Sequence, residues 1–313
     1  MNGVAMMVRS WAGRADTAAM QQLASRRWPH GPHAGGVGWA AAIGQLADEI
    51  AVVDGDPGPG PDLDPGLAGW AGLAGQELFL HVDPAHPEAA RQLTRWAVDA
   101  RGTADLTVTV YDGDEAARPA LAEVGFAPQP EAAPVTGMFH DADPGGPVLP
   151  PGYRVRGVAD GEQAARVEAH RAAWRPATLP WPAGVPPVSP ELTSRFTAAH
   201  DEEVRHTWLY DQSRDLVVEA PDGTLAACCI VWWDPDAGAA EIEPLGVLPG
   251  HRRRGLATAM CMAACAQVAA LGGDQVFINT GPRADYPAPA ETYLAAGFKV
   301  VGLGQVHRRP AGA

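Results

Sequence analysis

One order of segments occurs twice in this chain, and it limits the fold more than any single motif does. Residues 77–126 read ELFLHVDPAHPEAARQLTRWAVDARGTADLTVTVYDGDEAARPALAEVGF, and residues 240–298 run from AEIEPLGVLPGHRRRGLATAMCMAACAQVAALGGDQVFINT to AETYLAAGF. Each copy gives a strand, a turn, a helix, a second strand and a second helix that stops at Gly-Phe. Val82-Asp83-Pro84 matches Val247-Leu248-Pro249, and Gly125-Phe126 matches Gly297-Phe298. Upstream of each copy lies a strand followed by an amphipathic helix, VRSWAGRADTAAMQQLASRRW and YRVRGVADGEQAARVEAHRAAW.

Two copies need two cores, and 313 residues are enough for both. The stretch HDADPGGPVLPPG, residues 140–152, separates them, because its prolines and glycines exclude regular structure. The chain therefore divides into a first domain over 1–140, a linker over 141–152 and a second domain over 153–313. Each is expected to be α/β (α+β), with a mixed, mostly antiparallel central sheet flanked by helices. In the second half DLVVEA and TLAACCIVWW flank Pro-Asp-Gly, which predicts an antiparallel hairpin. AEIEPLGV is the next strand. Its Pro244 and Gly246 are poor ladder residues, so a bulge or splay is expected there, with backbone groups left facing a groove.

Composition narrows the partners. A formal net charge of −14 disfavours polynucleotides and anionic lipid surfaces, so no nucleic acid or membrane partner is expected. No apolar run reaches the length of a membrane span, and the first residues lack a signal-peptide pattern, which points to the cytoplasm. Cys228, Cys229, Cys261 and Cys265 have no histidine at a ligand spacing, so they read as core residues and no metal is expected.

Against that acidic background, GVLPGHRRRGLATAM stands out. Arg252, Arg253 and Arg254 precede Gly255, Leu256 and Ala257, which open a helix. The first N–H groups of a helix lack internal partners and carry the positive end of its dipole. Gly255 and Ala257 remove side-chain bulk in front of those groups, and the arginines add charge. This is a socket for a diphosphate.

The spacing R-x-x-G-x-A resembles the acyl-CoA pyrophosphate loop of the GNAT acetyltransferases, Q/R-x-x-G-x-G/A. The V-x-P strand before the loop, QVFINT after the helix and TYLAAGF in the last helix extend the likeness over residues 151–309, and in weaker form over 7–140. The resemblance implies two tandem GNAT domains and acetyl transfer from acetyl-CoA to a primary amine of a small molecule. It places Tyr293 beside the CoA sulfur as the acid for the departing thiolate. An alkylammonium is neutral only about one part in a thousand at neutral pH, so a base is useful, and Glu243 fits that role. Period-two alternation would set Glu243 and Leu245 on one face of their strand, with Glu241 as the rival carboxylate or an ammonium anchor.

On the same resemblance, the backbones of Leu245, Gly246 and Val247 pair with the pantetheine arm, and Asn279 bonds the same arm. Relatives carry an asparagine about seven residues before the tyrosine, where this chain has Tyr286. The acceptor is expected to meet residues 174–196, with Trp174 and Trp181 walling an apolar, sugar-like or cationic group. His170, His200 and His206 read as surface or capping residues. In the first copy Pro87 replaces Arg252, Ala90 replaces Gly255, Leu121 replaces Tyr293, and Glu88 adds negative charge at the socket. That half is therefore expected to be silent, either a fixed pseudo-dimer partner within a monomer or a wall of the second domain's substrate cleft. Tandem architecture with a degenerate first half is also distantly similar to mycothiol synthase, which implies a cysteinyl amino-sugar acceptor as an alternative. An acyl-CoA sensor without turnover is another.

Overall fold

The structure, a computed structural model, describes residues 7–55, 66–174, 194–281 and 287–312. In chain order the elements of the first half are β1 (Val8–Ser10), α1 (Arg14–Arg27), α2 (Ala34–Ala42), β2 (Glu49–Asp54), β3 (Leu67–Ala74), β4 (Glu77–Val82), α3 (Pro87–Arg101), β5 (Leu106–Tyr111), α4 (Ala117–Glu123), β6 (Ala127–Pro128) and β7 (Val135–Asp141). The second half continues with β8 (Arg154–Gly157), α5 (Gln163–Ala173), α6 (Ala198–Arg205), β9 (Asp215–Glu219), β10 (Leu225–Asp234) and β11 (Ala239–Val247). It closes with α7 (Leu256–Ala270), β12 (Gln275–Ile278), α8 (Pro287–Ala295) and β13 (Lys299–Arg309).

Two compact units result. The N-terminal unit holds residues 1–136 and 302–313, and the C-terminal unit holds 137–301. The division thus differs from a single cut in 141–152, because strands trade places. In the N-terminal unit the order is β1-β2-β3-β4-β5-β13, with Gly304–Arg309 running antiparallel to Leu106–Tyr111. In the C-terminal unit the order is β8-β9-β10-β11-β12-β7, with Met138–Asp141 antiparallel to Gln275–Ile278. Each sheet has one parallel pair, β4/β5 and β11/β12, and antiparallel neighbours otherwise. Each unit is therefore the mixed, mostly antiparallel sheet flanked by helices that the repeat predicts.

The repeated helices form for visible reasons. Helix α3 starts with Pro87, whose missing N–H has no helical partner to lose, and buries Ala89, Ala90, Leu93 and Ala97 at helical spacing. Helix α7 buries Leu256, Ala259, Met260, Ala263, Ala264 and Val268 against Ala227, Val231, Ala240, Ile242 and Ile278 of the C-terminal sheet. All four cysteines are free and buried. Cys229, Cys261 and Cys265 belong to that same core, and Cys228 faces the α5 side with Val158, Ala169 and Val217. Among the described residues no helix is long and apolar enough to cross a membrane.

Candidate active site

The centre of the C-terminal unit is strand β11, which does not stay regular. Its register with β10 runs from Asp234↔Ala239 to Val231↔Ile242, shifts, and resumes from Cys229↔Leu245 to Ala227↔Val247. One extra residue is inserted at Glu243-Pro244, the bulge expected from Pro244. The indole Nε1 of Trp232 donates to the Glu243 carbonyl at 2.5 Å, which fixes the bulged peptide.

The bulge changes which residues share a face. Ile242 and Leu245 are three apart, yet both pack on the α7 side. Gly246 faces the other way, toward Trp174 and Ala173 at the end of α5. The period-two expectation that Glu243 and Leu245 share a face is therefore corrected. An inserted residue reverses the parity of everything beyond it. Glu241, between Ala240 and Ile242 of the α7-side core, points to the α5 side. Burial, with the nearby charge of Glu241 adding to it, pushes the Glu243 carboxyl up to about 8.

The ladder on the other side of β11 is short. Parallel pairing of β11 with β12 stops at Ile242↔Ile278, whereas β11 continues to Val247. Beyond that point Leu245, Gly246 and Val247 have no ladder partner on β12, which ends at Ile278 just before Asn279. Asn279 is exposed and its side-chain oxygen accepts the Thr280 N–H at 2.8 Å.

Val247 leads through a 3-10 turn at Pro249–His251 into the arginine loop. Arg253 has φ 60°, the one non-glycine residue with positive φ among those described. Gly255 caps α7 in the left-handed region, at φ 79° and ψ 6°. A Cβ there meets nothing within 4 Å, so the space before the helix is open. No side chain caps α7 and no carboxylate lies in its first turn. Arg253 and Arg254 are exposed, Leu256 is buried, and Ala257 is partly buried. These features fit a diphosphate on the helix end.

Arg252 departs from the expectation that all three arginines face the anion. Its Nε donates to the Val247 carbonyl and its Nη2 to the Ala173 carbonyl, each at 3.1 Å. The guanidinium turns back into the protein. Nearby, the Tyr153 hydroxyl and His251 Nδ1 are 3.0 Å apart, a contact beside the loop that the sequence did not signal.

Tyr293 is 7% exposed and packs in the α7-side core, its ring centroid 6.3 Å from that of Phe298. On the α5 side, Trp174 stacks on His170 with centroids 4.3 Å apart and planes 14° apart. His170 also lies against Phe196, at 4.6 Å, and its Nδ1 is 2.9 Å from Ser194 Oγ. It is not a surface residue. Burial, reinforced by the charge of Arg166, pushes it down to about 3, so its ring is neutral at physiological pH. Beneath it Arg166 and Asp215 form a buried ion pair at 2.7 Å. Trp181 and Tyr286 lie outside the described residues, as do 175–193 of the acceptor segment. Among the described residues no group of three His, Cys, Asp or Glu could hold a metal ion.

Residues 180–298, with the bulged strand, the loop and the Tyr293 helix, match the model of the acetyltransferase (GNAT) family. Over those residues the chain is similar to the GNAT acetyltransferases. A tandem GNAT protein from the clavulanic acid biosynthesis pathway is similar along nearly the whole length, with a TM-score of 0.53, 17% identity, and coverage of 98% of this chain and 99% of that one. At this identity the likeness is one of fold, and it supports the tandem GNAT architecture. A GCN5-related N-acetyltransferase from Sphaerobacter thermophilus has 20% identity and a TM-score of 0.49, with 98% of this chain and 96% of that one covered. No curated protein matches the sequence.

Proposed function

We propose that the C-terminal unit transfers an acetyl group from acetyl-CoA to a primary amine of a small molecule by direct attack, and that it alone is active. The observation that carries this reading is the end of the β11–β12 ladder at Ile242↔Ile278, beside a bulge that bears Glu243. A strand edge freed there suits a pantetheine arm, paired with the backbones of Leu245, Gly246 and Val247 and bordered by Asn279. The first turn of α7, with Gly255, Leu256, Ala257 and the exposed Arg253 and Arg254, suits the diphosphate.

The thioester supplies an acyl carbon activated for attack by nitrogen. Glu243, with its carboxyl near 8, accepts the proton of the acceptor ammonium, directly or through a water. A carboxylate of that basicity takes the proton from an amine far better than an ordinary glutamate near 4.3. As the C–N bond forms and the C–S bond breaks, the Tyr293 phenol gives its proton to the departing sulfur and regains one from the nitrogen, which loses its second proton as the amide forms. Glu241, on the α5 side of β11, holds the ammonium near Glu243. Trp174 forms the adjoining wall of the acceptor cleft.

Several observations support a silent N-terminal unit. The β3–β4 register runs unbroken from Gly69↔Val82 to Ala74↔Glu77, so β4 has no bulge. His81 stands where β11 has Gly246, and Leu121, fully buried, stands where α8 has Tyr293. Pro87 takes the Arg252 place, and Glu88 puts a carboxylate in the first turn of α3.

The test is turnover of acetyl-CoA against a panel of amines, with thiol release as the readout. Tyr293→Phe should lower kcat while leaving affinity for acetyl-CoA intact. Unchanged turnover would remove Tyr293 from the mechanism. Binding without turnover across the panel would favour a sensor.

A further inference from the structure

We propose that Arg252 is a positioning residue that couples the diphosphate loop to the wall of the acceptor cleft; this rests on reading the C-terminal unit as an acyl-CoA site. Its guanidinium ties two ends together. Val247, whose carbonyl accepts from Nε, is the last residue of β11, and Ala173, whose carbonyl accepts from Nη2, is the last residue of α5. Carbonyls at a helix C-terminus lack internal donors and carry the negative end of the dipole, so a cation fits there. The next residue is Trp174, which is in close contact with the β11 backbone at Gly246 and stacks on His170.

The N-terminal unit contains the same joint, built differently. There Arg27, the last residue of α1, donates through Nη1 to the carbonyl of Val82, the last residue of β4. It also donates to His30 O at 2.9 Å and lies 3.4 Å from Asp114. The helix itself thus supplies the arginine that closes the joint. The loop after β4 contributes an acidic partner, Asp83 at 3.6 Å from Arg26, rather than the arginine, and Pro87 occupies the place of Arg252. A joint needed only for packing can be made in that way. In the C-terminal unit the arginine instead comes from the loop that Gly255 leads into α7. An anion that settles this loop therefore also settles Val247, Ala173 and Trp174. Order at the cofactor end is transmitted to the acceptor wall through one side chain.

The test is hydrogen exchange of the full chain with and without acetyl-CoA, comparing the wild type with Arg252→Lys and Arg252→Gln. In the wild type, acetyl-CoA should slow exchange both in the first turn of α7 and at residues 170–174. Both variants should keep the α7 response and lose the response at 170–174. Losing two charge-assisted bonds should also speed exchange at 170–174 by about tenfold or more without ligand, with lysine restoring part of it. Arg27→Gln is the control, expected to leave the α5 response intact. A variant that folds and keeps the response at 170–174 overturns the coupling, as does a wild type that responds at α7 alone. No response at α7 in the wild type would overturn the cofactor reading, and the coupling with it. The ligand-free comparison would then still report whether the brace holds α5.

Discussion

The indole of Trp174 lies so close to Gly246 that a Cβ built on that glycine would come within 2.3 Å of the Trp174 Cζ3 and 2.7 Å of the Ala173 Cβ. The end of α5 thus rests directly on the backbone of the strand that carries Glu243. Gly246→Ala should displace the end of α5 and cost about 1–3 kcal/mol of stability, as overpacking does elsewhere. In kinetics it should raise the acceptor KM more than the acetyl-CoA KM. Equal effects on both would mean that Trp174 is not part of the acceptor wall.

Under the proposed mechanism Glu243 sets the pH dependence of turnover. With its carboxyl near 8, the base form gains population as pH rises, so kcat/KM should climb between about pH 6 and 8 and level off above. Glu243→Gln should remove that limb and lower kcat by about 10²–10⁴-fold. Glu241→Gln should shift the limb downward, because the Glu241 charge holds the Glu243 carboxyl up. A limb unchanged in Glu243→Gln would assign the titration elsewhere.

The same group has a stability signature of opposite direction to a salt-bridged acid. A carboxyl raised in the folded state favours folding when protonated, so stability falls as pH rises from the ordinary range near 4.3 through about 8. Glu243→Gln should therefore gain on the wild type at pH 9 by on the order of a few kcal/mol, with little difference at pH 4. Denaturant melts at the two pH values check this.

Arg166 and Asp215 pair at 2.7 Å with both side chains almost fully buried. Asp215→Asn would leave an uncompensated guanidinium in the interior and should cost about 3–5 kcal/mol. Chemical denaturation reads it. A cost below about 1 kcal/mol, the range of exposed pairs, would contradict burial of this pair.

Much of this was legible in the sequence. The paired V-x-P and Gly-Phe signatures fixed the repeat, and Pro244 marked the bulge because proline cannot donate to a ladder. The start of α7 was legible because Gly255 follows the arginines and precedes a run of small, mostly apolar residues. The facing of Glu243 was not, since an inserted residue reverses strand parity and sequence period cannot show on which side of Pro244 the reversal falls. Nor was the target of Arg252, whose Ala173 partner lies 79 residues away. The exchange of β7 and β13 between sheets was hidden as well, because either strand pattern would pair equally well with its own half.

Calorimetric titration of the full chain with acetyl-CoA tests the central claim, one working site in a tandem pair, most directly. The account predicts one site per chain, lost in Gly255→Glu, which puts a carboxylate in the open space before α7. Two sites, or one that survives Gly255→Glu, would contradict it, and no binding would remove acetyl-CoA from the account altogether.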